Sequence, residues 1–129
     1  MIHRGDVYDV DFPLAGPHPA VVVTREEAIP VLSAIAVVVV TSTVRGHPAE
    51  ATLEGPHLDL HDGSVANCDN IATLPKRRLQ RYRGHLAPDQ IRALDRALAV
   101  ALGLDIEAPY ADLARRVRRR RLKRQTPSA

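Results

Sequence analysis

"AIAVVVVTS", residues 34–42, decides how the rest of the chain is read. Its apolar run continues without a polar break up to Thr41. That is far short of the roughly twenty residues needed to cross a bilayer. Valine is β-branched, packs well on a pleated sheet and loses rotamer freedom in a helix. A strand that is apolar at every position is covered on both faces, so this one predicts the centre of a sheet.

The neighbouring segments supply partners for it. "DVYDVDF" (6–12) sets Val7, Val10 and Phe12 against Asp6, Asp9 and Asp11, with Tyr8 breaking strict alternation, and reads as a half-buried strand ended by Pro13. In "AGPHPAVVVT" (15–24) the prolines restrict where a strand can start, and the reading is a buried strand over 20–24. "REEAIPVLS" (25–33) is an irregular connection. "AEATL" (49–53) is a short antiparallel partner, and "EGPHLDLHDG" (54–63) is loop by its Gly, Pro and Asp content. "SVANCDNIATL" (64–74) predicts one or two strands, interrupted by polar Asn67, Asp69 and Asn70. Pro75 opens a helical turn reaching Leu79, and a last strand covers 81–85.

Then the period changes. In "APDQIRALDRALAVALG", Ile91, Leu94, Leu98, Ala101 and Leu102 share one helical stripe. Pro88 suits the first helical position, Asp89 the positive helix end and Gly103 the C-terminal cap. A second helix can begin at Pro109, where a short stripe of Tyr110, Leu113, Ala114 and Val117 runs into arginine. Short strands followed by one strong helix predict a mostly β protein with some α, a small antiparallel barrel with a C-terminal helix.

Composition bounds the function. The 129 residues make one domain, read here as 1–104, and a basic extension, 105–129, either helical or disordered. Aromatic residues are only 3%, so aliphatic side chains must build the core. Cys68 is the single cysteine, which excludes an internal disulfide and a cysteine-based zinc site. His57 and His61 stand four apart, but Pro56, Asp59 and Gly63 argue against the helix that would pair them on a metal. No metal or cofactor is expected. The charged N-terminus lacks the apolar core of a signal peptide, so the expected location is the cytoplasm, with no membrane contact. Charge is divided unevenly. Residues 1–112 carry fifteen acidic and ten basic side chains, a net −5, whereas 113–129 carry eight basic and no acidic ones. A basic tail on an acidic body predicts an anionic partner for the tail.

Four segments in order resemble the MazF/PemK/Kid toxin family. "RGDVYDVDF" is similar to its opening strand, "HPAVVVT" to its second, and "VVVVTST" to its apolar strand ending in Thr-Ser. "GSVANCDNIATLPKRRLQRYRGHLAPDQIRALDRALAVALGL" is similar to its C-terminal half. The likeness covers roughly 4–104. It implies an SH3-like barrel, a homodimer, and the toxin of a type II toxin–antitoxin pair. It also implies metal-independent cutting of single-stranded RNA to 2′,3′-cyclic phosphate and 5′-hydroxyl ends, held in check by a cognate antitoxin. The same fold hosts the gyrase poison CcdB, so fold alone does not fix the chemistry. A non-catalytic binding protein, acting on gyrase or sequestering an antitoxin, is the alternative.

Such cleavage needs a base for the 2′-OH, an acid for the 5′-oxygen and donors for the phosphorus oxygens. The resemblance places a functional threonine at Thr41 and a catalytic aspartate at Asp69. Two departures stand out. The MazF branch carries an arginine directly before the proline of strand two, where this chain has His18. The Kid/PemK branch carries an arginine two residues before its aspartate, where this chain has Asn67. His18 is the candidate proton-transfer group, since imidazole exchanges protons around neutral pH, and Asp69 is the expected partner that orients or charges it. Candidate RNA contacts are Arg25, Ser42, Arg45, Asn67, Lys76 and Arg77. The last two belong to a basic cluster with Arg78, Arg81 and Arg83, only part of which can face the RNA. Each of these residues also has a plain structural reading as a loop or strand-end side chain.

Overall fold

A computed structural model of the chain describes residues 1–105; the second helix expected from Pro109 and the basic extension from 106 onward lie outside the described residues. Six strands form one antiparallel sheet: β1 (Asp6–Phe12), β2 (Gly16–Val22), β3 (Ala34–Thr41), β4 (Glu50–Thr52), β5 (Val65–Pro75) and β6 (Leu79–His85). Their order is β4-β5-β3-β2-β1-β6, and the helix α1 (Pro88–Leu102) follows. The all-apolar strand lies inside the sheet, as its composition requires. Its residues divide between two cores. Val38 and Val40 join Val7, Val21, Cys68, Leu86 and Leu94 on one face. Ile35 and Val37 join Val10, Ala20, Val22, Ile29 and Leu74 on the other.

Two elements, β2 and β6, differ from the sequence reading, and β5 settles its alternatives, each for a physical reason. β2 starts at Gly16, not at 20, so it runs through both prolines. The amide of Val23 donates to Ala36 O at 3.0 Å, which turns the polar groups of the odd-numbered β2 residues toward β3. The even-numbered Gly16, His18 and Ala20 therefore serve the ladder to β1, where proline's missing N–H is not needed. β5 is a single strand across its polar residues. Val38 pairs with Ile71 but the next residue, Val39, pairs with Asn67, so the residues between form a bulge. The bulge sends Cys68 into the core and leaves Asp69 and Asn70 exposed. β6 begins at Leu79, directly after a 3₁₀ turn over Lys76–Arg78.

In α1, Leu94 and Ala97 are buried and Ile91, Leu98 and Ala101 pack beside them, whereas Leu102 is exposed. Gly103 closes the helix at φ 69°, donating to Ala99 O and Val100 O. Gln90 fastens the other end, its amide oxygen accepting from Ala87 N at 2.9 Å.

The two edge strands, β4 and β6, do not pair with each other. The connection between β4 and β5 spans the gap. Leu53 N donates to Ser64 O at 2.9 Å, Leu58 bridges Gly84, and Asp59 N donates to Arg83 O at 2.8 Å. This closes the sheet into a barrel. Gly84 makes the closure possible: its φ is +130°, and a Cβ there would collide with the His57 carbonyl. Gly84→Ala is expected to destabilise the protein by about 1–3 kcal/mol. Gly16→Ala, where a Cβ meets nothing within 4 Å, bears only backbone strain. Thermal unfolding of the two variants checks this ranking, and equal melting temperatures would contradict it.

Candidate active site

The prolines that β1 tolerates are what end the ladder on β2's other side. β2 pairs with β3 from Val22↔Val37 to Ala20↔Val39 and no further. The next residue facing β3 is Pro19, which has no N–H to give. The strands part there, and a cleft of about 460 Å³ opens between their ends. His18 and Pro19 stand on one lip, Thr41 and Ser42 on the other.

Each lip is held in place. The His18 ring lies against Phe12, with centroids 6.4 Å apart and planes tilted by 56°. Pro17 and Pro19 narrow the backbone on either side of it. The Thr41 hydroxyl oxygen accepts from Thr43 N at 3.0 Å, so the hydroxyl's own hydrogen remains available as a donor.

The opposite wall comes from the closing loop and β6: Asp59, Leu60, His61, Ser64 and Arg83. Arg83 binds Asp9 through two bonds, Nε to Oδ1 at 2.9 Å and a terminal nitrogen to Oδ2 at 3.0 Å. Its other terminal nitrogen bonds the Asp59 carbonyl at 3.1 Å and carboxylate at 3.2 Å. Donating to the Asp9 carboxylate holds the guanidinium proton more tightly still, raising its pKa. Four of five donors are thus committed to joining β6, β1 and the loop. Arg83 is a strut of the cleft wall.

His18, Thr41 and Ser42 are brought together as expected from the sequence. The other candidates are not among the residues lining the cleft. Asp69, expected beside His18, is turned outward by the β5 bulge and has the His47 ring as its neighbour, at 3.9 Å. Asn67 accepts from the Asp69 amide at 3.2 Å. Arg25 is exposed next to Glu27, and Lys76 and Arg77 sit on the turn between β5 and β6. The Arg45 amide, with those of Gly46 and His47, donates to Glu50, and these bonds lower the Glu50 carboxyl pKa. Asp59, His61 and Ser64 carried no sequence signal, because only barrel closure brings their loop to the ends of β2 and β3. Arg83 was visible only as one member of a basic cluster.

Among the described residues no group of three or more His, Cys, Asp or Glu side chains is placed to hold a metal ion. Burial, reinforced by the charge of Asp69, pushes the Cys68 thiol up to about 12. A thiol reagent at pH 8 is therefore expected to leave native protein unmodified and to label Cys68 only on denaturation. Labelling of the native state at a comparable rate would contradict the buried placement.

Among the described residues, a closed antiparallel barrel with one helix and a cleft lined by histidines, hydroxyls and a braced arginine define a small β-barrel protein with a polar cleft. The family model described as "PemK-like, MazF-like toxin of type II toxin-antitoxin system" matches residues 3–102. The chain belongs to that family. It is 37% identical over 87 residues to Endoribonuclease MazF3 of Mycobacterium tuberculosis, covering 67% of this chain and 84% of the relative. It is 33% identical over 99 residues to Probable endoribonuclease MazF5 of the same species, covering 77% and 91%. A mycobacterial endoribonuclease solved in complex with its cognate antitoxin superposes with a TM-score of 0.75 at 32% identity, covering 82% of this chain and 99% of that one.

Proposed function

We propose that this toxin is a metal-independent endoribonuclease that cuts single-stranded RNA, leaving a 2′,3′-cyclic phosphate and a 5′-hydroxyl. One observation carries the reading: the ladder stops at Pro19, and the gap holds an imidazole on one lip and a hydroxyl donor on the other. His18 transfers a proton, Thr41 donates to a phosphorus oxygen, and Ser42 contacts the backbone beside it. The 2′-OH is the nucleophile, so the protein needs none of its own. The toxin works in the cytoplasm as a homodimer, and a cognate antitoxin neutralises it. Residues 113–129, rich in arginine, add affinity for the RNA backbone that does not depend on sequence. Asp69, lying away from the cleft, takes no part in proton transfer.

A second reading has one observation in its favour. The cleft's arginine is committed to Asp9 and Asp59, so phosphate charge meets little free cationic stabilisation there. A barrel that binds its target without cutting fits that balance. Incubation of purified protein with mixed single-stranded RNA in EDTA separates the two: discrete cuts support the nuclease, and intact RNA supports the binder.

Thr41→Val keeps the strand and its volume and is expected to slow cleavage by about one to three decades, the cost of one lost oxyanion donor. Unchanged cleavage would return Thr41 to a packing role. His18→Ala and His18→Gln are each expected to lose about two to four decades while still binding RNA. Wild-type rate in the Gln variant, measured under single-turnover conditions, would remove His18 from the chemistry.

A further inference from the structure

Cleavage of RNA through its own 2′-OH moves two protons, not one. The 2′-oxygen loses a proton as it forms its bond to phosphorus, and the 5′-oxygen gains one as the P–O5′ bond breaks. Attacking and leaving oxygens lie roughly in line through phosphorus. The group that takes the first proton therefore stands on the opposite side of the phosphate from the group that supplies the second. His18 occupies only one side of the cleft.

The far wall offers a second imidazole. His61 lines the same cleft, on the closing loop rather than on β2. Its backbone is fixed from both directions. The Ser64 hydroxyl donates to His61 O at 2.7 Å and the Ser64 amide donates to the same oxygen at 3.2 Å, with Ser64 itself only 3% exposed. Two residues before His61, Asp59 is held by Arg81 at 2.8 Å and by Arg83. Asp59 and Arg83 are the charged groups sharing the wall with it; they pair with each other, and each has a further partner, Arg81 and Asp9. A loop tied at 59 and at 64 presents its middle residue without paying to order it on binding.

We infer that His61 is the second proton-transfer residue of the cleft, working across the phosphate from His18. This rests on the ribonuclease reading above. In one turnover a neutral imidazole takes the 2′-OH proton, the 2′-oxygen bonds to phosphorus, and the P–O5′ electron pair goes to the 5′-oxygen. That oxygen takes a proton from the other ring, which enters as imidazolium. Water then restores both rings.

The test uses the full chain and two versions of one oligoribonucleotide spanning a cut mapped for the wild type. One version is natural RNA; the other carries sulfur in place of the bridging 5′-oxygen at that cut. A thiolate leaves without being protonated, so loss of the general acid no longer matters, whereas loss of the base still does. On natural RNA, His61→Ala, His61→Gln and His18→Ala are each expected to be slower by about 10²-fold or more. On the sulfur substrate the variants at one of the two histidines should return to within about tenfold of wild type, and those at the other should stay slow. His61 variants that cut natural RNA at full rate would overturn the inference. So would rescue of neither position or of both, since a merely structural residue slows both substrates alike. Failure of wild type to cut any RNA would instead bring down the ribonuclease reading, and this inference with it.

Discussion

A missing hydrogen-bond donor organises this protein. In an antiparallel sheet each residue serves one neighbour or the other, alternately along the strand. Pro17 and Pro19 both fall on the β3 side of β2, so the same strand stays fully paired with β1 while losing its grip on β3. A proline shifted by one residue would break the hairpin with β1 instead and leave β3 zipped to the end. The parity of Pro19 thus decides which seam opens, and hence which side chains meet in the opening. His18 is positioned by the strand that remains paired and exposed by the one that does not.

The far side of the cleft depends on a different kind of force. The closing loop buries Leu53 and Leu58 and packs Leu60 beside them, but its hold on β6 comes from a bridge at Gly84, the Asp59 amide and charge. Arg83 reaches Asp9 on β1 and Asp59 on the loop at once, with a side chain only 23% exposed. Partial burial strengthens such bonds, and the bidentate geometry makes them directional. The arrangement trades away a cation for phosphate binding and gains a rigid wall. In a cleft with an imidazole on each side, rigidity of the wall fixes their separation.

Much of the barrel was legible because burial writes itself into composition. The unbroken valines of β3 marked a strand covered on both faces, and the period of α1 marked one packed stripe, with the helix bounds falling at Pro88 and Gly103. His18 and Thr41 were singled out by comparison with the family's strands, with Ser42 beside Thr41, and all three line the cleft. What stayed hidden is what depends on register. Nothing local says whether a proline's nitrogen faces one neighbour or the other, which is why β2 looked shorter than it is. Polar Asn67, Asp69 and Asn70 marked an interruption in β5 but not its form, because the shift from Val38↔Ile71 to Val39↔Asn67 is defined only by the pairing with β3. His61 sits in a stretch whose only visible character is that of a turn, and its place follows from closure between strands far apart in sequence.

Barrel closure also sets an order in time. The closing loop, residues 53–64, is made well before β6, but its bonds across the gap cannot form until Arg83 and Gly84 exist. Chains are synthesised at about 5–20 residues per second and fold from the N-terminus as they emerge. A nascent chain that has reached the end of β5 already possesses both lips, His18 and Thr41, yet lacks the opposite wall. A ribosome that stalls or aborts before that point releases a fragment with an unfinished cleft. Completion of the last strand is thus the step that joins the two sides of the cleft.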